Sequence, residues 1–310
     1  METVLSIQGL TKHFGSLRAV NQLNLEVQAG QVFGMLGPNG SGKTTTLGML
    51  MGVVNPTSGD FRWFGQQPTH TVRKNIGAVL EHPIFYPYMS GQMNLEVNAM
   101  IKGASKASID KVLDVIGLTD RRNDKYRTYS LGMKQRLAIG SALLNDPKVL
   151  ILDEPTNGLD PMGIAEIREI IKRIAADNKT IILASHLLDE VQRVCTHFAV
   201  LRRGTLVHSG PIGDVGNGEE TVEVVAFHDD LNHILMQFQG ALTVQRTNGL
   251  AGHVGPFEVK LREGFSASDL NKFLFEKGIV ASHLLTQKKS LEKQFLEILA
   301  EAGPENKKPR

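Results

Sequence analysis

An apolar, strand-length run at residues 32–36 feeds directly into Gly37-Pro38-Asn39-Gly40-Ser41-Gly42-Lys43-Thr44, and helical composition follows. The octet fits the pattern G-x-x-x-x-G-K-S/T, in which glycines let backbone amide hydrogens turn inward toward phosphate oxygens. Side chains at those positions would block the approach. Lys43 supplies a point charge for the β- and γ-phosphates, Thr44 a hydroxyl for Mg²⁺, and the helix that follows its positive end. The expected nucleotide-binding set is Gly37, Pro38, Asn39, Gly40, Ser41, Gly42, Lys43, Thr44 and Thr45. Strand, glycine loop and helix in that order commit the chain to α/β construction.

A second strand-length run, residues 149–152, is wholly apolar and ends in Asp153 and Glu154. The carboxyl ends of parallel strands line the ligand crevice, so Asp153 is expected to hold Mg²⁺ and Glu154 to act as base on the attacking water. Around these motifs the texture changes in blocks. Residues 4–10, 23–27 and 31–36 read as paired strands, an antiparallel β-subdomain. Residues 84–145 carry helix-period apolar positions at 94–101, 108–116 and 133–144, a helical subdomain. Strand-length and helical runs then alternate to residue 201. A glycine-rich stretch at 210–218 places a boundary between a nucleotide-binding domain, 1–213, and a small α+β accessory domain, 214–310. The latter parses as strands 221–227, 241–246, 257–261 and 279–285 with helices 230–238 and 266–277. That βαββαβ order permits a ferredoxin-like arrangement. A last helix, 290–300, precedes a polar tail.

Composition mainly excludes. Thirty-four Lys and Arg against thirty-two Asp and Glu leave a net charge of +2, too small to indicate nucleic acid. Cys195 is the single cysteine, so there is no internal disulfide and no cysteine-rich zinc site, as suits a reducing compartment. No run reaches the ~18 to 20 apolar residues that cross a bilayer. The amino terminus alternates like a strand, so no export leader is expected. Apart from His186, the histidines form no coherent ligand set.

The glycine loop, YSLGMKQR at 129–136, ILDEPTNGLDP at 151–161 and ASH at 184–186 together resemble the ATP-binding-cassette (ABC) ATPases, over about residues 3–213. The resemblance implies a P-loop NTPase core with the β- and helical subdomains. Ser130 and Gly132 match the family's signature, which contacts the γ-phosphate of ATP held by a second subunit. The family's usual signature is LSGGQ; here Tyr129, Leu131 and Met133 occupy three of its five positions, as in a subgroup that exports drugs or bacteriocins or serves gliding motility. His186 matches the switch histidine, and Asp160 the loop that crosses the dimer interface; a helix cap is a compatible role for Asp160. Phe14 stands where an aromatic ring stacks on adenine, with a core phenylalanine as the alternative. Glu81 stands at a position usually held by a glutamine that senses Mg²⁺ and the membrane partner, and as a carboxylate it is expected to contact Mg²⁺ with Thr44 and Asp153. Residues 82–88, rich in aromatics and proline, suit either a membrane-subunit contact or ordinary packing.

Taken together, the resemblance implies an ATPase using ATP and Mg²⁺, working as a homodimer or with a paired cassette. It would power an exporter through a separate transmembrane permease, from the cytoplasmic face of the membrane, with no nucleic-acid partner. An ABC-type ATPase with a regulatory, non-transport role is the alternative. The accessory domain would stabilise the dimer, regulate turnover or simply pack.

Overall fold

Buried and exposed side chains broadly alternate along β1 (Thr3–Phe14) and β2 (Leu17–Gln28), as a sheet with one face on the core requires. The computed structural model describes residues 2–80, 84–213, 221–228, 230–247, 256–262 and 264–287. The chain divides into two compact units, Met1–Ile212 and Gly213–Arg310.

In the first unit, β3 (Val32–Leu36) is buried at every position and runs into α1 (Lys43–Leu50). Next come β4 (Ser58–Trp63), α2 (His70–Arg73) and β5 (Ile76–Val79). The helical section consists of α3 (Gly91–Lys102), α4 (Ala107–Val115) and α5 (Leu131–Leu143). Then β6 (Val149–Asp153), α6 (Pro161–Ala176), β7 (Thr180–Ser185), α7 (Leu188–Val194), β8 (His197–Arg202) and β9 (Thr205–Pro211) complete the unit. Local chemistry sets these boundaries. Asp160 caps α6 and Pro161 opens it, while Ile167, Ile170, Ile171 and Ile174 recur at helical spacing as its buried stripe.

The strands form a three-stranded antiparallel sheet, β2-β1-β4, and a six-stranded sheet, β5-β6-β7-β3-β8-β9, parallel except for β9. Leu5, Ile7 and Trp63 of the smaller sheet share one core with Phe33, Met35, Ile151 and Ile182 of the larger. Both sheets extend beyond the sequence reading: β1 and β2 each run twelve residues, and β4, α2, the four-residue β5 and β9 have no counterpart in it. These elements carry little periodic signal, since β4 buries only Phe61 and Trp63, α2 is one turn, and β9 is largely half-buried.

The second unit contains β10 (Thr221–Ala226), α8 (Leu231–Met236), β11 (Ala241–Arg246), β12 (Phe257–Leu261), α9 (Ala267–Glu276) and β13 (Ala281–Gln287). Its antiparallel sheet has the order β11-β12-β10-β13, the split βαβ arrangement that its element order permits. Val222, Val224, Val259, Leu270 and Leu274 belong to a core of its own. Ser266 and Asp269 form a capping box at α9, and the Ser266 hydrogen bonds hold the Asp269 carboxyl below the ordinary aspartate value. The expected helix at 290–300 and the tail lie outside the described residues.

Candidate functional site

Three adjacent strands, β6, β7 and β3, end at the same level. The parallel register pairs Leu36 with Ser185 and Asp153 with Ala184. It therefore sets the start of the glycine loop, the two acids and His186 at neighbouring strand ends, where α/β sheets bind ligands. The Gly37 amide donates to Ser185 O at 3.4 Å, and the Glu154 amide donates to Ala184 O at 3.0 Å.

Backbone crowding dictates the glycines. A methyl group at Gly37 would lie 2.3 Å from Leu201 O and 2.6 Å from Ser41 Oγ. At Gly42, which has φ +103°, it would lie 2.6 Å from Ala19 O. Gly40, at φ +78°, has open space beside it. Pro38, Asn39, Gly40 and Thr44 are exposed, Thr45 is half-buried, and the buried Ser41 Oγ has no hydrogen-bond partner among the described residues. A buried hydroxyl in that condition, beside an open glycine loop, is suited to an incoming phosphate oxygen.

Lys43 is 4% exposed, so its charge needs partners. Its Nζ donates to Gly37 O at 2.7 Å and Pro38 O at 3.4 Å, and lies 3.3 Å from Glu154 Oε1. The other carboxylate oxygen, Oε2, sits 2.8 Å from His186 Nδ1 and accepts from the His186 amide at 3.4 Å. A carboxylate opposite Nδ1 selects the tautomer with hydrogen there and leaves Nε2 free to face a substrate. Glu154 adopts φ +47°, a left-handed conformation that costs a non-glycine residue ~1 kcal/mol or more and persists only where its surroundings hold it. The Ala184 bond on one side and Asn157 N–H to Glu154 O at 3.1 Å on the other do so. Asp153, the last residue of β6, is buried beside them.

Ser130, Gly132 and Asp160 form a second group. Ser130 Oγ accepts from Met133 N–H at 3.2 Å and caps α5; Asp160 Oδ1 accepts from Gly163 N–H at 2.8 Å and caps α6. The two helix starts are neighbours: a methyl at Gly132 would lie 3.9 Å from Gly163 Cα, and one at Gly158 3.4 Å from the Leu131 side chain. Among the described residues, no hydrogen bond or ion pair joins this group to Lys43, Glu154 or His186.

Phe14 is 49% exposed at the end of β1, which removes the core alternative. The Lys12 ammonium sits 4.9 Å above its ring and donates to Asn55 O at 2.7 Å, a contact the sequence reading missed. Glu81, His82 and Pro83 lie outside the described residues. In the remainder of that segment both readings find members: Phe85 packs on Tyr126 with ring centroids 5.2 Å apart, whereas Ile84, Tyr86 and Tyr88 are exposed. Burial pushes the Tyr126 and Tyr129 phenols above the ordinary tyrosine value, and it raises the buried Cys195 thiol strongly, so that sulfur stays protonated.

Comparisons with known proteins agree with this geometry. A family model described as ABC transporter matches residues 20–157. The chain is 39% identical to an ABC transporter ATP-binding protein of Bacillus subtilis, YhcH, over 98% of its own length and 99% of that protein's. It is 34% identical to the bacitracin transport ATP-binding protein BcrA of Bacillus licheniformis, over 96% of this chain and 98% of that one. Among solved structures, cbiO1 of Clostridium perfringens, part of the ABC transporter complex cbiONQ, superposes with a TM-score of 0.63 at 28% identity. That match covers 69% of this chain and 91% of that one. Among the described residues, no helix is long and apolar enough to cross a membrane.

Proposed function

The chain belongs to the ABC transporter family as an ATP-binding, ATP-hydrolysing subunit, and from that premise we propose which residues turn ATP over and what the energy drives. The observation that carries the reading is Glu154 held between Lys43 and His186 at the ends of three adjacent strands. The loop at 37–45 cradles the triphosphate, and Lys43 moves its charge onto the β- and γ-phosphates. Glu154 takes the proton from the attacking water while His186 orients that water through Nε2. Thr44 and Asp153 would hold Mg²⁺, which would supply charge neutralisation at the transferring phosphoryl group. Phe14, with Lys12 over its ring, offers a half-exposed aromatic face to the base.

Family members act as paired cassettes with a separate membrane component. In this chain the second group completes the partner's site: Ser130 and the first amides of α5 meet the γ-phosphate held by the other copy, and Asp160 lies at the shared interface. The membrane subunit lies against the exposed Ile84, Tyr86 and Tyr88. A groove of about 520 Å³ supports a further contact, lined by His70, Arg73, Lys74 and Lys102 together with the exposed Met100 and Ile101. It suits an acidic, partly apolar cytoplasmic segment of that subunit. The protein is then peripheral on the inner membrane face, and the likeness to BcrA supports export of bacitracin-like compounds. That likeness disfavours the regulatory alternative.

The test is the Glu154→Gln full chain with Mg-ATP. Turnover, read as phosphate release, falls about 10²- to 10⁴-fold while ATP is still bound and a dimer accumulates. Parental turnover in that variant removes Glu154 from the mechanism. Co-purification of a polytopic membrane protein, and bacitracin resistance on co-expression with it, test the transport assignment.

A further inference from the structure

Tyr129 has no part in the chemistry above, yet it is buried while Ser130 and Leu131 beside it are exposed. Its hydroxyl donates to Arg121 O at 2.8 Å, and its ring centroid lies 6.0 Å from that of Tyr126, which packs on Phe85. The start of α3 is shaped around it: a methyl at Gly91 would come 2.1 Å from the Tyr129 hydroxyl. Backbone bonds join the same two segments. Tyr126 N–H donates to Met89 O at 2.9 Å, Arg127 N–H to Pro87 O at 3.0 Å, and Gly91 N–H to Asp124 O at 3.2 Å. From the other side the buried Asn94 amide grips Tyr86, accepting its N–H at 2.8 Å and donating to its carbonyl at 3.1 Å. Residues 85–92 and 121–129 thus form one block, and Tyr129 is its last residue before the α5 cap.

We propose that Tyr129 is a positioning residue: it fixes Ser130 and the first amides of α5 to this block, so that they reach a second copy's triphosphate already oriented. The proposal rests on the reading that Ser130 serves the partner's nucleotide. A turn anchored before association has less freedom to lose on closure, and that saving appears as tighter ATP-driven pairing. The polar anchor also accounts for a tyrosine where the family signature has leucine, because only the phenol can reach the Arg121 carbonyl as a donor.

The experiment uses the full chain carrying Glu154→Gln, with Tyr129→Phe, Tyr129→Leu or Gly91→Ala added. For Tyr129→Phe, the ATP concentration giving half-maximal dimer by light scattering rises roughly three- to tenfold, while a fluorescent ATP analogue binds the dilute monomer within about twofold of the parent. Tyr129→Leu shifts it further, and Gly91→Ala, which pushes the hydroxyl aside, reproduces the shift should the leucine variant not fold. Parental dimerisation in Tyr129→Phe overturns the proposal. An equal loss of monomer affinity overturns it too, because that marks a general structural defect. A Glu154→Gln chain that never dimerises with ATP overturns instead the reading beneath it.

Discussion

The glycine loop at 37–44 and the turn at 129–133 are both suited to phosphate, but they are constrained differently. In the loop the limits come from the chain itself: an added methyl at Gly37 or Gly42 meets main-chain oxygen at 2.3 or 2.6 Å. In the turn the chain fixes Tyr129 but leaves Gly132 free, since a methyl there has nothing nearer than 3.9 Å. The loop therefore keeps its pattern to the letter, while the turn carries tyrosine, leucine and methionine at three family positions. Beyond the Tyr129 anchor, the proposed partner nucleotide is what would restrict residues 130–133.

Four substitutions and one titration would sharpen or break this contrast. Lys43→Ala removes a charged hydrogen-bonding partner and is expected to weaken ATP binding by the monomer about 10- to 100-fold, measured by calorimetry. Unchanged affinity would dissociate the loop from phosphate. Gly37→Ala should destabilise the fold by ~1 to 3 kcal/mol in urea titrations, because rigid backbone surrounds the site. Ser130→Asn retains a capping oxygen, so stability stays within ~0.5 kcal/mol while ATP-driven dimerisation weakens about tenfold. Equal losses in monomer binding and pairing would erase the difference between the two regions. Gly132→Ala lies inside α5 with room around it and should be neutral or add up to ~1 kcal/mol of stability, even as pairing suffers. A strong loss of stability there would show that the internal constraint extends past Tyr129 to Gly132.

The smallest effect is alkaline. The folded Tyr129 phenol keeps its proton above the ordinary value of 10.0 chiefly because it is buried, whereas the unfolded chain loses it there. Its contribution is complete below pH 10.0 and is lost as pH rises through the raised folded value. Tyr129→Phe should flatten that decline in part, with Tyr126 retaining a share.

Much of the site was legible because its signals are local. Glycine spacing, an apolar strand ending in two acids, and a capping residue before a helix each fit within about ten residues, the range over which sterics and periodicity act. The same locality explains what escaped. Lys12 over Phe14 needs a strand seen as three-dimensional, with Asn55 brought to it from a distant loop. The Tyr129 anchor needs α3 laid against a segment some thirty residues away. β4 and β9 are edge strands of their sheets, and edges hide fewer side chains and show weaker alternation.

The order of residues alone therefore decided the chemistry on offer: a phosphate cradle, a lysine, two acids and a histidine, each at a strand or helix end. It left open whether those ends would meet. Their meeting came from the pairing order β6-β7-β3, which brings residues more than a hundred positions apart into one crevice, and from the Ala184 and Asn157 bonds that hold Glu154 in its left-handed backbone. Short-range preferences are written in neighbouring residues. Adjacency across the sheet is a free-energy sum over the whole core, and only the folded chain evaluates it.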